Sequence, residues 1–275
     1  MMSKSSWAVI TDLDGSFLNH HNYQWSEALP AVKSLQDKNI PIIFNTSKTY
    51  SETVVLQKQV GISAPFIIEN GSCIYLPKLQ FPDLPSPFAE SYKSYWQIKL
   101  GNTVKEIDRY VNQIISPDDK FSKLSDYSAE QASQLTGLSL EQSKNAIARE
   151  YSQPILWEGS ESQLGNFKIR LEKQGLSLLR GGRFLHIQGN SDKGKAIRKL
   201  QVLYSHTLNT IVIGDSGNDL EMLNEADISI IIKAPGNQYL LDDFIPTYIS
   251  NLEAPKGWAE AINFVFQNYN LGGKI

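Results

Sequence analysis

Trp7-Ala-Val-Ile-Thr-Asp-Leu-Asp-Gly-Ser16 sets an apolar, β-branched run directly against two carboxylates and a glycine. Side chains at i and i+2 project to one side of a strand, so Asp12 and Asp14 both point toward the turn that Gly15 permits where the strand runs out. Two anions held that close repel one another and need a partner: a bound cation, a shared proton, or both. The stretch reads as a site at the end of a strand.

A second stretch, Ile211-Val-Ile-Gly-Asp-Ser-Gly-Asn-Asp219, repeats the design: a short β-branched run ends in Gly214 and is followed by Asp215 and Asp219. If both strands lie in one parallel sheet, their carboxyl ends share an edge, which is where open α/β sheets bind ligands. Four carboxylates then converge. Such a set suits a hard divalent cation, and Mg²⁺, which keeps few protein carboxylates together with water and substrate phosphate, is the natural candidate. Asp215 is the expected ligand, Asp219 is spaced to hold a metal-bound water or to orient Lys193, and Asn218 lies in the tight loop beside the ion.

The surrounding pattern is that of βαβ units. Ala8 to Thr11, Pro41 to Asn45 and Phe66 to Ile68 read as strands; Ala28 to Leu35 and Thr49 to Val60 carry helical spacing. Pro77, Pro82, Pro85 and Pro87 then form a connector, after which the chain is more polar, with strands expected at Tyr95 to Leu100, Asn166 to Leu171 and Ser177 to Leu179 and helices at Val104 to Ile115 and Leu140 to Glu150. The earlier style resumes near His186, with helices Lys193 to Tyr204, Leu220 to Ala226 and Trp258 to Phe266 and strands Thr210 to Ile213 and Ile228 to Ile232. The expected architecture is α/β: a doubly wound, Rossmann-like parallel-sheet core from residues 1–80 and 187–275, with an inserted α+β cap over residues 81–186.

Composition narrows the partners. The 275 residues carry 26 basic and 29 acidic side chains, a net charge of -3, spread evenly, so no nucleic-acid surface or polybasic membrane patch is expected and anionic substrates must be drawn in locally. No apolar signal region precedes the first strand and no run reaches membrane-spanning length. With Cys73 as the single cysteine, a reducing, cytoplasmic setting is expected, for a monomer or homodimer.

The chemistry follows from the placement. Asp12 is positioned as a nucleophile that takes a phosphoryl group and splits a hard hydrolysis into two displacements, while Asp14 serves as general acid and then general base. Thr46, with the amide of Ser47, stands between the second strand and its helix, where a phosphoryl oxygen can be bound. A threonine before a helix is more often only an N-cap, and its position after the second strand is what singles it out. Lys193 begins a helix, where a cation is unfavourable against the macrodipole unless an anion is also present, and it can neutralise Asp12 and a substrate phosphate together.

These residues resemble the haloacid dehalogenase-like phosphatase superfamily, whose four motifs stand here in order as Asp12-Leu-Asp-Gly-Ser16, Thr46, Lys193 and Gly214-Asp-Ser-Gly-Asn-Asp219. The resemblance implies Mg²⁺ held by the Asp12 carboxylate, the Asp14 carbonyl and Asp215, and a cap that closes over the site and selects the substrate. Ser16 stands where threonine is usual. A narrower resemblance is to the mannosyl-3-phosphoglycerate phosphatases, carried by Asn45-Thr-Ser-Lys-Thr49, Ile68-Glu-Asn-Gly71, Ala148-Arg-Glu-Tyr-Ser152 and Gly181-Gly-Arg-Phe-Leu-His186. It implies a small phosphorylated sugar or sugar-glycerate as substrate. Lys48, Arg149, Arg170 and Arg183 are candidates for a glycerate carboxylate, and Asn70 with the backbone of Gly181 and Gly182 for sugar hydroxyls. Alternatives are a broad-specificity Cof-type sugar phosphatase, a phosphomutase, or a non-catalytic phosphosugar sensor on the same fold.

Overall fold

The computed structural model describes residues 5–84, 88–181, 184–235 and 244–271. In chain order the strands are β1 (Ser5–Thr11), β2 (Ile42–Asn45), β3 (Phe66–Ile68), β4 (Cys73–Pro77), β5 (Ala89–Tyr92), β6 (Tyr95–Lys99), β7 (Phe121–Lys123), β8 (Ser152–Trp157), β9 (Leu176–Arg180), β10 (Leu185–Gly189), β11 (Thr207–Gly214), β12 (Ile228–Lys233) and β13 (Tyr248–Glu253). The helices are α1 (Leu29–Asp37), α2 (Tyr50–Val60), α3 (Val104–Ile114), α4 (Ala129–Thr136), α5 (Leu140–Ile147), α6 (Glu161–Glu172), α7 (Lys193–Gln201), α8 (Leu220–Leu223) and α9 (Lys256–Asn268).

Nine of these strands form one sheet in the order β13-β12-β11-β1-β2-β3-β4-β6-β5. From β13 to β3 every pairing is parallel, and β4, β6 and β5 extend it antiparallel. Its strands alternate between two buried layers. Val9, Phe44, Phe66, Ile211, Ile213 and Ile230 face α1 and α9, where Val32, Leu35, Trp258 and Ile262 close one core. Ala8, Ile10, Ile43, Ile67, Val212 and Ile231 face α7 and α8, where Ile197, Leu200, Met222 and Leu223 close the other. Because β1 sits between β2 and β11, the chain leaves its carboxyl end in one direction and returns on the other side, which opens a crevice at that edge.

The second sheet, β7-β8-β10-β9, is antiparallel and has its own apolar core, in which Ile107 and Val111 of α3 and Leu164, Phe167 and Leu171 of α6 pack on Ile155, Leu176 and Ile187. It makes the insert.

Two strand expectations are corrected here, one in its place and one in its type. The strand expected in the insert at Tyr95 to Leu100 is β6 of the main sheet, paired with β4 so that Ile74 meets Ile98 and both join the apolar layer beneath α7. Of the proline-marked connector, Pro77 ends β4 and Pro82 lies between two strands of the main sheet, while Pro85 and Pro87 lie outside the described residues. At the far end, His186 lies in β10, between β8 and β9 of the insert sheet. We propose on this sheet membership that the insert runs from Gly101 to Asn190 instead of 81–186. The strand expected at Asn166 to Leu171 lies inside α6, which Ser160 caps by accepting from the Gln163 amide. Phe167-Lys-Ile-Arg-Leu171 imitates strand alternation, yet Leu164, Phe167 and Leu171 are the buried set, at helical spacing, and Ile169 is exposed.

Candidate active site

The carboxyl ends of β1, β2 and β11 deliver the acidic loops to one place. Asp12 and Asp14 both line a cavity of about 1360 Å³ between the main sheet and the insert, while Leu13 between them is fully buried in the core. The same cavity is lined by Ser47, Lys48, Asn70, Lys193, Asp215, Ser216 and Asn218 from the core and by Arg149, Leu179, Arg180 and His186 from the insert.

Lys193 anchors the charges. Its Nζ donates to Asp12 Oδ1 at 2.5 Å and to Asp219 Oδ1 at 2.7 Å, and the side chain is almost wholly buried. Burial alone would favour the neutral amine, but the two carboxylates outweigh it and hold the ammonium above its ordinary range. Asp219 also accepts the amides of Asp215 and Ser216 on its other oxygen, so it orients Lys193 and pins the loop. Asn45 Nδ2 donates to the Lys193 carbonyl, tying β2 to the start of α7.

Asp12, Asp215 and Asp219 each offer an oxygen, and these atoms lie within 4.8 Å of one another. Against one ammonium the trio keeps excess negative charge. Burial, and then the charges of Asp219 and Asp14, push the Asp12 carboxyl up to about 7, and burial with Asp219 and Asp12 pushes Asp215 well up too. Ser16 Oγ donates to Asp215 Oδ1 at 2.9 Å. Gly15, at φ +85°, lets the first loop approach so closely that a Cβ there would lie 2.5 Å from Asp215 Oδ2. An all-oxygen acidic cradle this crowded fits a small divalent cation.

The remaining expected residues divide. Thr46 is fully buried; its hydroxyl accepts the Lys48 amide and its carbonyl the Asn70 amide, so it shapes the loop that presents Ser47 and Lys48. Lys48 reaches Asp14, with Nζ 2.8 Å from Oδ1 and 3.0 Å from Oδ2. Arg149 faces the cavity but spends Nη1 on the Ser47 carbonyl and Ser152 Oγ, leaving Nε buried and unpaired. Asn70 likewise turns a buried, unpaired Oδ1 at the cavity.

Asn218 turns away from the acidic trio and donates to the Arg180 carbonyl across the cleft, because its loop faces the insert. Arg170 is not brought to the site: on α6 it pairs with Asp119 at 2.5 Å and donates to the Ile114 carbonyl, fastening the insert's own framework. Gly182 and Arg183 lie outside the described residues.

Two residues had escaped the sequence reading. Glu69, fully buried at φ +46°, accepts the amides of Glu150 and Tyr151 and the hydroxyl of Ser152, and so clasps the insert to the core just beside Arg149. Burial raises its carboxyl, against the pull of Arg149. His186, which the sequence offered only as the end of Gly181-Gly-Arg-Phe-Leu-His186, lines the cavity with Nδ1 buried and unpaired; burial and then Arg149 push its imidazolium down to about 3, so the ring is neutral. The marker was present in Ile68-Glu-Asn-Gly71, but the partners of Glu69 lie 81 to 83 residues away, beyond any spacing rule.

Comparison with known proteins agrees with this geometry. A protein named glucosyl-3-phosphoglycerate/mannosyl-3-phosphoglycerate phosphatase from Persephonella marina is 32% identical over 261 residues, covering 92% of this chain and 95% of the relative. One of the same name from Methanococcoides burtonii is 34% identical over 270 residues, covering 96% and 98%. Among solved structures, a haloacid dehalogenase-like hydrolase from Bacteroides thetaiotaomicron superposes with a TM-score of 0.66 at 18% identity, covering 95% of this chain and 100% of that one. The sucrose-phosphatase of Synechocystis, solved with sucrose and phosphate, gives 0.60 at 18% identity, covering 95% and 98%. The family model for haloacid dehalogenase-like hydrolases matches residues 9–236, which spans both acidic loops, the lysine that joins them and the insert between, and the chain belongs to that family.

Proposed function

We propose that this chain is a Mg²⁺-dependent phosphomonoester hydrolase that works through an aspartyl phosphate on Asp12 and takes mannosyl-3-phosphoglycerate or glucosyl-3-phosphoglycerate as its substrate. The observation that carries the chemistry is the placement of Lys193 Nζ between Asp12 and Asp219 at the floor of the cavity. The substrate class is supported by the names of the two relatives at 32% and 34% identity.

Asp12 offers its oxygen to the phosphorus, and Lys193 favours its ionised form and orients it while charge builds on the transferring group. Asp14 gives a proton to the departing oxygen as its bond to phosphorus breaks, then takes one from the water that frees Asp12. Ser47, presented by the loop that Thr46 shapes, lies where a phosphoryl oxygen needs amide donors. Asp12, the Asp14 carbonyl and Asp215 would hold the Mg²⁺, which when bound offsets the acidic excess and polarises the phosphoryl oxygens. The insert walls keep bulk water from the reacting centre.

Phosphate release should be measured across sugar phosphates and both glycosyl-3-phosphoglycerates, with and without Mg²⁺. The proposal expects the glycosyl-3-phosphoglycerates to lead, and Asp12→Asn to lose about 10³-fold or more in kcat with its circular dichroism unchanged. Wild-type turnover in that variant would refute the nucleophile.

A further inference from the structure

Lys48 reaches across the mouth of the cavity and puts its ammonium within 3.0 Å of both oxygens of Asp14. The same ammonium lies 4.9 Å from the centre of the Tyr23 ring. One cation therefore spans both oxygens of the carboxylate assigned above to proton transfer. Among the other described cations of the cavity, Lys193 is enclosed by Asp12 and Asp219, Arg149 is tied through Nη1 to Ser47 and Ser152, and Arg180 stands exposed on the insert beside Glu161 at 3.7 Å. Lys48 differs from Lys193 and Arg149 in having a partner carboxylate that is itself 36% exposed.

For Asp14 to serve a leaving group it must face the ester oxygen. A carboxylate a few bonds from that oxygen necessarily arrives beside Asp14, within the reach of Lys48. There it competes for the ammonium as a charge-assisted acceptor of the same kind. A leaving group with no such anion brings nothing to exchange and meets an Asp14 still tied.

Resting on the phosphatase reading, we propose that Lys48 is a specificity-determining residue that passes from Asp14 to a carboxylate on the leaving group, so that Asp14 is released toward the ester oxygen by acidic substrates and stays bound for neutral ones. The exchange swaps one ion pair for another and breaks no covalent bond. Asp14, freed as a carboxylate, takes up a proton from solvent, gives it to the leaving oxygen as the bond from that oxygen to phosphorus breaks, regains one from the attacking water, and returns it to solvent when Lys48 closes on it again.

The test compares wild type, Lys48→Met and Lys48→Arg on whichever glycosyl-3-phosphoglycerate the wild type turns over best and on its carboxamide, which has the same phosphate and sugar without the acid. Lys48→Met should lose about ten- to a hundredfold in kcat/KM on the acid, while its kcat on the carboxamide rises above wild type. Lys48→Arg should keep the preference for the acid. Equal losses on both compounds, or no change on either, overturn the exchange. A wild type that hydrolyses only carboxylate-free sugar phosphates overturns it while the phosphatase reading stands; a wild type that releases no phosphate from any ester removes both.

Discussion

Lys193 and Asp12 lie 181 positions apart in the chain and meet at 2.5 Å through a buried ion pair. Neither charge is stable there alone. Desolvating an ion costs several kcal/mol even after relaxation, and the attraction repays it only when each group is fully partnered. Lys193 meets this condition through two carboxylates, whereas the acids outnumber it and are left with a deficit that a divalent cation would fill.

Lys193→Met should therefore be damaging in the metal-free protein. It strands Asp12 and Asp219 together, and a loss of about 3–5 kcal/mol is expected in urea unfolding. Adding Asp219→Asn should restore part of that stability without restoring activity, since the two sites share one network. Independent, additive losses would show that the pair is not coupled.

Mg²⁺ binding should depend on pH. Burial raises the Asp12 carboxyl from 3.8 to about 7, so the folded, metal-free protein holds this proton more tightly than the unfolded chain does. The stability this provides is present below pH 3.8 and is lost as pH rises through about 7. A cation binds the ionised form, so binding releases protons and its affinity should fall as pH drops below 7, by up to about tenfold per unit for one proton displaced. Calorimetry in two buffers of different ionisation enthalpy measures the proton count; zero release would contradict the assignment.

Gly71→Ala tests how closely the loop after β3 packs on the start of α7. A Cβ at Gly71 would stand 2.1 Å from the Asp192 carbonyl oxygen, at φ +88°, so both sterics and backbone oppose it. A destabilisation of about 2 kcal/mol or more is expected. Gly61 has a similar φ of +74° and open space around it, so Gly61→Ala should cost about 1 kcal/mol, from the backbone alone. Chemical denaturation of the two variants separates contact from conformation.

The parts of the site legible in the sequence are those whose logic is local. Asp12, Asp14, Asp215 and Asp219 announce themselves because β-branched runs end abruptly in acid and glycine, and a parallel sheet brings such ends to one edge. The insert was harder to read. Its α6 imitates a strand over five residues, and β6, which follows a proline-rich connector, joins the main sheet through pairing with β4 that no local window contains.

What the chain alone determined is the core and the acidic chemistry, because periodicity and turn residues act over a few positions. Only the tertiary structure decided who partners whom: that Glu69 clasps the amides of Glu150 and Tyr151 and the hydroxyl of Ser152, that Arg170 serves Asp119 instead of the cavity, and that Lys48 lies on Asp14. A charged side chain's role is set by the counter-charge nearest to it in space. That neighbour is fixed by packing of the insert on the core, and the order of residues along the chain does not state it.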